Sequence, residues 1–296
     1  MTKDLKIGIG TVQFGTPYGI ANGGGITPPD EIARILSRAD ELGDVVLDTA
    51  PAYGDSERVL GQALTPGHSF RIVTKTPVFH TRTDITDIGA AVADGLDESL
   101  RDLRQNEVHG LLIHHPEDAS GPYADELIEA LMRLKEQGKV RKIGISVYGD
   151  DDLDVVAKTG TFDIVQLPLN VLDRRLIDSG RLDALNGADM EVHARSIFLQ
   201  GLLLMAPEKL SAYFSPLLPV LQHFRDDADT AGLTPLQAAL GFIAGQPAID
   251  DVIIGIDSFD HYQEILSAAT DDAELDYTLY GCHDDRMVDP RQWPAI

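Results

Sequence analysis

Eight short apolar runs alternate with segments of helical periodicity along this chain, and that alternation limits its fold more than any other feature. The runs lie at residues 6–10, 45–48, 70–74, 108–113, 143–146, 163–167, 190–193 and 251–254. They are continuously aliphatic rather than alternating, which is the pattern of strands covered on both faces, as in a parallel sheet. The intervening segments carry helix signals. Pro28 and Pro29 open one with apolar Ile32, Ile35 and Leu36 at helical spacing, closed by Gly43. Ser56 is the expected N-cap of the next. Further helices are expected over 85–103, 123–137 with Gly138 at its C-terminal end, 151–158, 174–185, 235–245 behind Thr234, and 258–265. The stretch 11–25 reads as a loop, and 199–229 as a looser region with one or two extra helices. Strands recurring at roughly thirty to forty residues, each followed by a helix, predict a single (β/α)8 TIM barrel. One domain is expected over 1–296, with a tail from about 271 packed near one end.

The bulk numbers exclude several classes of function. Of 296 residues 43% are hydrophobic, yet no apolar run is long enough to cross a bilayer. The opening MTKDLKIGIG lacks the apolar core of a signal peptide, so the expected location is cytoplasmic. Cys282 is the single cysteine, which rules out an intrachain disulfide and a thiolate metal cluster. A formal net charge of -24 repels nucleic acid and anionic membranes, and neither is expected as a partner. The segment GIGTVQ begins like a dinucleotide fingerprint, but Gln13 stands where the third glycine belongs and no helix is expected directly after it, which argues against a Rossmann domain.

The chemistry gathers at strand ends. Asp48 ends the second run, Tyr53 follows it in a turn, Lys75 ends the third and His114 the fourth. In a parallel barrel these ends open on one mouth, where the four side chains converge. Taken singly, each fits a structural role: a cap, a surface charge, a turn residue. Together they make a proton donor. A phenol titrates near ~10; a neighbouring ammonium is expected to lower that value, a carboxylate to fix the ammonium, and an imidazole to hold the same substrate oxygen.

The longer motifs strengthen this reading: GIGTVQFG, LDTAPAYGDSERVLG, IVTKTP, LLIHHPED, GKVRKIGIS, DIVQLPLN and TPLQAALGFIAGQPAIDDVIIG, in that order. With them the chain resembles the aldo-keto reductase superfamily over nearly its whole length. The resemblance implies a barrel that binds NADP(H) or NAD(H) without a Rossmann domain and interconverts a carbonyl and an alcohol. It maps the catalytic tetrad onto Asp48, Tyr53, Lys75 and His114, with Tyr53 the general acid and His115 a wall residue. It also implies cofactor contacts. Ser146 and Gln166 fall where the nicotinamide carboxamide is held; Ser196, Phe198, Gln200 and Gly201 match the loop around the pyrophosphate.

Three departures from the family pattern bear on the cofactor. Val147 follows Ser146 where an asparagine is usual. Arg195 replaces the aromatic residue that stacks on the nicotinamide; a guanidinium can stack on a planar ring too, and a strand-end salt bridge is the competing reading. After the last strand come Gly255, Ile256 and Asp257, with His261 at a usual arginine position and Ile265 in place of an amide. A carboxylate at Asp257 repels a 2′-phosphate, so weak discrimination for NADP(H) is expected and NAD(H) would serve. Phe14, Tyr18, Phe79 and Trp293 are candidate walls for a small aldehyde, ketone or sugar. A cofactor-sensing regulatory protein on the same barrel is the alternative. A metal-dependent barrel hydrolase is disfavoured because the first strand has no His-x-His pair.

Overall fold

The computed structural model describes residues 5–82, 85–186, 188–269 and 275–294. Its frame is a closed barrel of eight parallel strands in chain order. They are β1 Ile7–Gly10, β2 Val46–Asp48, β3 Arg71–Lys75, β4 Val108–Ile113, β5 Val140–Ser146, β6 Ile164–Pro168, β7 Glu191–Arg195 and β8 Asp251–Gly255. β1 closes the ring by pairing both β2 and β8, with Gly10 opposite Asp48 and Gly255. The expected (β/α)8 barrel is therefore the observed architecture. Four of the eight strands run a residue or two past the expected span at the C-terminal end, so Lys75, Pro168, Arg195 and Gly255 belong to strands.

Two layers of apolar packing hold it. Val46, Val73, Leu112, Ile164 and Ile253 fill the barrel interior. A larger cluster, including Ile9, Leu47, Leu111, Ile143 and Val165, packs the outer strand faces on the helices. Glycine makes room inside: a Cβ on Gly144 would lie 2.2 Å from the Ile164 carbonyl oxygen and 2.6 Å from Leu112. At the N-terminal end, Arg71 holds Glu191 at 2.6 Å and Asp251 at 2.7 Å, tying β3 across the barrel floor to β7 and β8. Lys142 and His109 add further bonds to Glu191.

Several local expectations change. Ser56 is the first residue of helix Ser56–Ala63 rather than its cap; its hydroxyl is buried against Thr11 and Thr49. Val12–Gly15, expected as loop, forms one helical turn. The helix expected from 85 starts at Ile88, where the Asp87 side chain accepts from the Ala90 N–H. The segment 174–185 breaks into Arg175–Asp178 and Arg181–Leu185 at Gly180, whose φ of 73° favours a residue without Cβ. In 199–229 two 3-10 turns precede helix Leu218–Thr230. Of the tail from about 271, residues 271–274 and 295–296 lie outside the described residues. The remainder packs on the barrel: Met287 and Val288 are buried, the Tyr213 hydroxyl donates to the Arg286 carbonyl, and Arg291 reaches the mouth.

Candidate active site

β2, β3 and β4 all deliver polar side chains to the C-terminal mouth, where they meet. The buried Lys75 ammonium donates to both Asp48 oxygens at 2.8 Å, to the Thr49 carbonyl at 3.0 Å and to the Tyr53 hydroxyl at 3.3 Å. The Gln166 amide nitrogen donates to Asp48 Oδ1 at 2.8 Å. Asp48 is thus a fixed counter-charge that points Lys75 at the phenol. The His114 ring stands edge-on to Tyr53, with centroids 5.9 Å apart.

Electrostatics at this mouth are set first by burial, which disfavours whichever form is charged. It lowers the Lys75 pKa against the opposing pull of Asp48. It pushes His114 down to about 2, helped by Lys75, so that the imidazole is neutral. Tyr53 goes the other way from the expectation of a lowered value. Burial and then the Asp48 carboxylate lift it well above 10, against the opposing Arg195. The phenol therefore keeps its proton.

The four residues border a cavity of about 500 Å³ that also takes in all ten residues assigned to cofactor contacts. Ser146 and Gln166 are register partners on β5 and β6. Gln166 Oε1 is buried without a hydrogen-bond partner, as is His114 Nδ1. Such atoms at a cavity wall are suited to a polar ligand, and an amide N–H is the natural complement of Gln166 Oε1. Arg195 is not in a strand-end salt bridge among the described residues. Its guanidinium donates to the Val147 carbonyl at 2.9 Å and to Ser196 Oγ at 3.3 Å, and lies 4.3 Å from the Tyr148 ring centroid. Arg291 covers the same ring at 3.5 Å.

The loop after β7 curls tightly. Ser196, Leu199, Gln200 and Gly201 all have positive φ, and a Cβ on Gly201 would lie 2.4 Å from the Ala21 Cβ. Gln200 donates from its amide to the Tyr18 hydroxyl and accepts at its carbonyl from the Ala21 N–H, which straps this loop to the loop after β1. At the end of β8, the Gln13 amide occupies the space a Gly255 side chain would need. Asp257 is 3.0 Å from His261 Nδ1, and that hydrogen bond holds its carboxyl below the usual carboxylate value.

Of the expected substrate walls only Tyr18 lines the cavity. Phe14 and Phe79 are core residues, each 1% exposed. Trp293 packs edge-on to Phe214 at 4.8 Å and does not line the cavity. Phe14 and Phe79 are apolar rings that gain more by leaving water than by lining a wet cavity. Val147 is likewise buried, and Ile265 belongs to the core. The cavity walls include residues outside the expected set: Gln13, Asn22, Tyr148, Leu204 and Met205. Gln13 and Tyr148 stand within three positions of a strand's C-terminal end, the signal that found Lys75 and His114.

Comparison with known proteins agrees with this geometry. The model of the Aldo/keto reductase family matches residues 6–277. L-galactose dehydrogenase of Arabidopsis thaliana is 27% identical over 285 residues, covering 91% of this chain and 85% of that protein. The uncharacterized oxidoreductase YqkF of Bacillus subtilis is 26% identical over 290 residues, covering 90% and 89%. An aldo-keto reductase of Bacillus halodurans solved in its holo form superposes with a TM-score of 0.72 at 22% identity, covering 93% and 89%, a likeness of fold. The chain belongs to the aldo/keto reductase family, oxidoreductases that interconvert carbonyls and alcohols with NADP(H) or NAD(H).

Proposed function

We propose that this protein reduces a small aldehyde, ketone or sugar, and oxidises the matching alcohol, with Tyr53 as the general acid and base. The observation that carries the reading is the Tyr53 hydroxyl held 3.3 Å from the buried Lys75 ammonium beside a neutral His114. When bound, the nicotinamide cofactor supplies or takes the hydride. The chain handles the proton. Tyr53 gives its proton to the carbonyl oxygen as negative charge develops there, and the Lys75 ammonium stabilises the phenolate left behind. Asp48 keeps Lys75 aimed at that oxygen. His114 donates its single ring N–H to the substrate oxygen and so orients the carbonyl. In the oxidative direction the same groups take the proton back.

Ser146 and Gln166 would hold the carboxamide, and the unpartnered Gln166 Oε1 fits that task. Arg195 offers positive charge and, on the side away from Tyr148, a planar face. Ser196, Phe198, Gln200 and Gly201 would wrap the pyrophosphate. Gly255, Asp257 and His261 would meet the adenosine end, with Asp257 disfavouring a 2′-phosphate. A sugar is consistent with the name of the Arabidopsis relative. Tyr53→Phe is expected to lower turnover of a generic aldehyde by about 10²–10⁴-fold while both cofactors still bind; turnover comparable to wild type removes Tyr53 as the acid. Titration of the same two proteins with NADPH and NADH is expected to give Kd values within about a hundredfold, or about 2.7 kcal/mol. A stronger preference for NADPH removes the role given to Asp257.

A further inference from the structure

Beside the mouth, and outside the cavity lining, the loops after β3 and β4 bring together a second set of ligating side chains. His80, His115 and Glu117 each offer one donor atom, and the three atoms lie within 4.8 Å of one another. We propose that these residues bind a first-row transition-metal ion of the zinc class, with one coordination position left to water.

Four features of the cluster support this. His80 Nδ1 is 2.9 Å from Asp118 Oδ1, and the Asp118 side chain is fully buried. That carboxylate also accepts from the backbone N–H groups of Phe79 and His80, so it is fixed in place before any ion arrives. With Nδ1–H donated to Asp118, His80 presents Nε2 as a free lone pair. A carboxylate behind a histidine in this way orients metal-binding imidazoles and raises their basicity. Second, the His80 and His115 rings are neighbours, with centroids 5.4 Å apart. Third, Glu117 is exposed and its nearest cation, Arg291, is 3.7 Å away and already held by Asp289 at 2.8 Å. Glu117 can turn to an ion without leaving Arg291 unpaired. Fourth, two imidazoles and a carboxylate match the three-ligand sets of open zinc sites.

The contrast with the barrel floor sharpens the assignment. Glu191, His193 and Asp251 also cluster, but Arg71 and Lys142 already neutralise those carboxylates from inside the cluster. Zinc bonds to nitrogen and oxygen of about 2.0–2.2 Å put tetrahedral ligands about 3.4 Å apart. The mouth cluster, its donor atoms already within 4.8 Å of one another, would close to that spacing by turning the exposed Glu117 side chain while His80 stays held by Asp118. His115 adjoins His114, ring centroids 4.8 Å apart, so a bound ion sits one residue from the reaction centre.

The test is titration of the full chain with ZnCl2 by calorimetry, and with CoCl2 by visible absorption. The expected result is saturable binding of one ion per chain, with Co2+ bands of low-coordinate geometry. His80→Ala and Glu117→Gln, both surface substitutions, should each weaken binding at least tenfold, while thermal denaturation reports an unchanged fold. Failure of wild type to bind Zn2+ below about millimolar concentration, or equal affinity in His80→Ala, overturns the proposal. Neither result bears on the hydride chemistry, because none of the three ligands lines the catalytic cavity.

Discussion

His114 shows what a dry mouth does to a titratable side chain. In the folded protein it accepts a proton only near pH 2, whereas an unfolded histidine does so near 6.5. Between those values the unfolded chain binds one more proton than the native one, so stability from this group falls as pH falls. The loss begins near pH 6.5 and approaches about 1.4 kcal/mol per pH unit. Urea denaturation at pH 7 and pH 5 should therefore show His114→Gln losing about 2 kcal/mol less than wild type across that interval. An equal loss in both proteins would mean that His114 is solvated enough to protonate in the native state. The same burial keeps the Tyr53 proton on its oxygen, against the expectation from charge pairing alone. Identity and order of Asp48, Tyr53, Lys75 and His114 were legible in the sequence. The sign of the phenol shift was not, because desolvation depends on which atoms the rest of the chain places around a group.

At the scale of elements, close approach decides where side chains can stand. Gly144 lies where β5 presses on β6 and Leu112. Gly144→Ala is expected to cost about 3 kcal/mol through backbone contact that a flexible neighbour cannot relieve, and Gly23→Ala, in open space, less than about 0.5 kcal/mol. Chemical denaturation of the two variants checks this. Gly61 acts similarly: its missing Cβ lets helix Ser56–Ala63 lie against the Asp102 carbonyl of helix Ile88–Leu103. Strand and helix order could be read from periodicity. The split of 174–185 and the inward turn of Ser56 could not. Ser56 turns toward Thr11, distant in sequence, and the two short helices on either side of Gly180 are tied to distant carboxylates, Arg175 to Asp285 and Arg181 to Asp154. Phe14 and Phe79 illustrate the same limit. An aromatic residue beside a strand end satisfies the pattern of a pocket wall and of a core residue equally well, and only packing separates them.

For the whole molecule, Arg71 is the element of closure that spans the floor. It faces Glu191 and Asp251, both largely removed from water, so deleting it strands Asp251 and leaves Glu191 to Lys142 and His109. Arg71→Ala should destabilise the barrel by about 3–5 kcal/mol in equilibrium unfolding. A loss below about 1 kcal/mol would show that the Lys142 charge and the His109 hydrogen bond suffice for the floor. The net charge of -24 acts on a longer range, as a field that repels polyanions. It says nothing of the positive groups, Arg195 and Arg291, that the fold gathers on Tyr148 at the mouth.

Eight parallel-type strands that each need a covering helix write the barrel into the sequence, and the convergence of Asp48, Tyr53, Lys75 and His114 follows because strand ends in such a barrel share one face. Tertiary structure alone decided which apolar rings fill core and which line the cavity, that Tyr148 lies against Arg195, and that His80, His115 and Glu117 meet. The physical reason is the range of the interactions. Periodicity and strand order are written in neighbouring residues, while burial, pKa and side-chain convergence arise from atoms brought together across the whole chain.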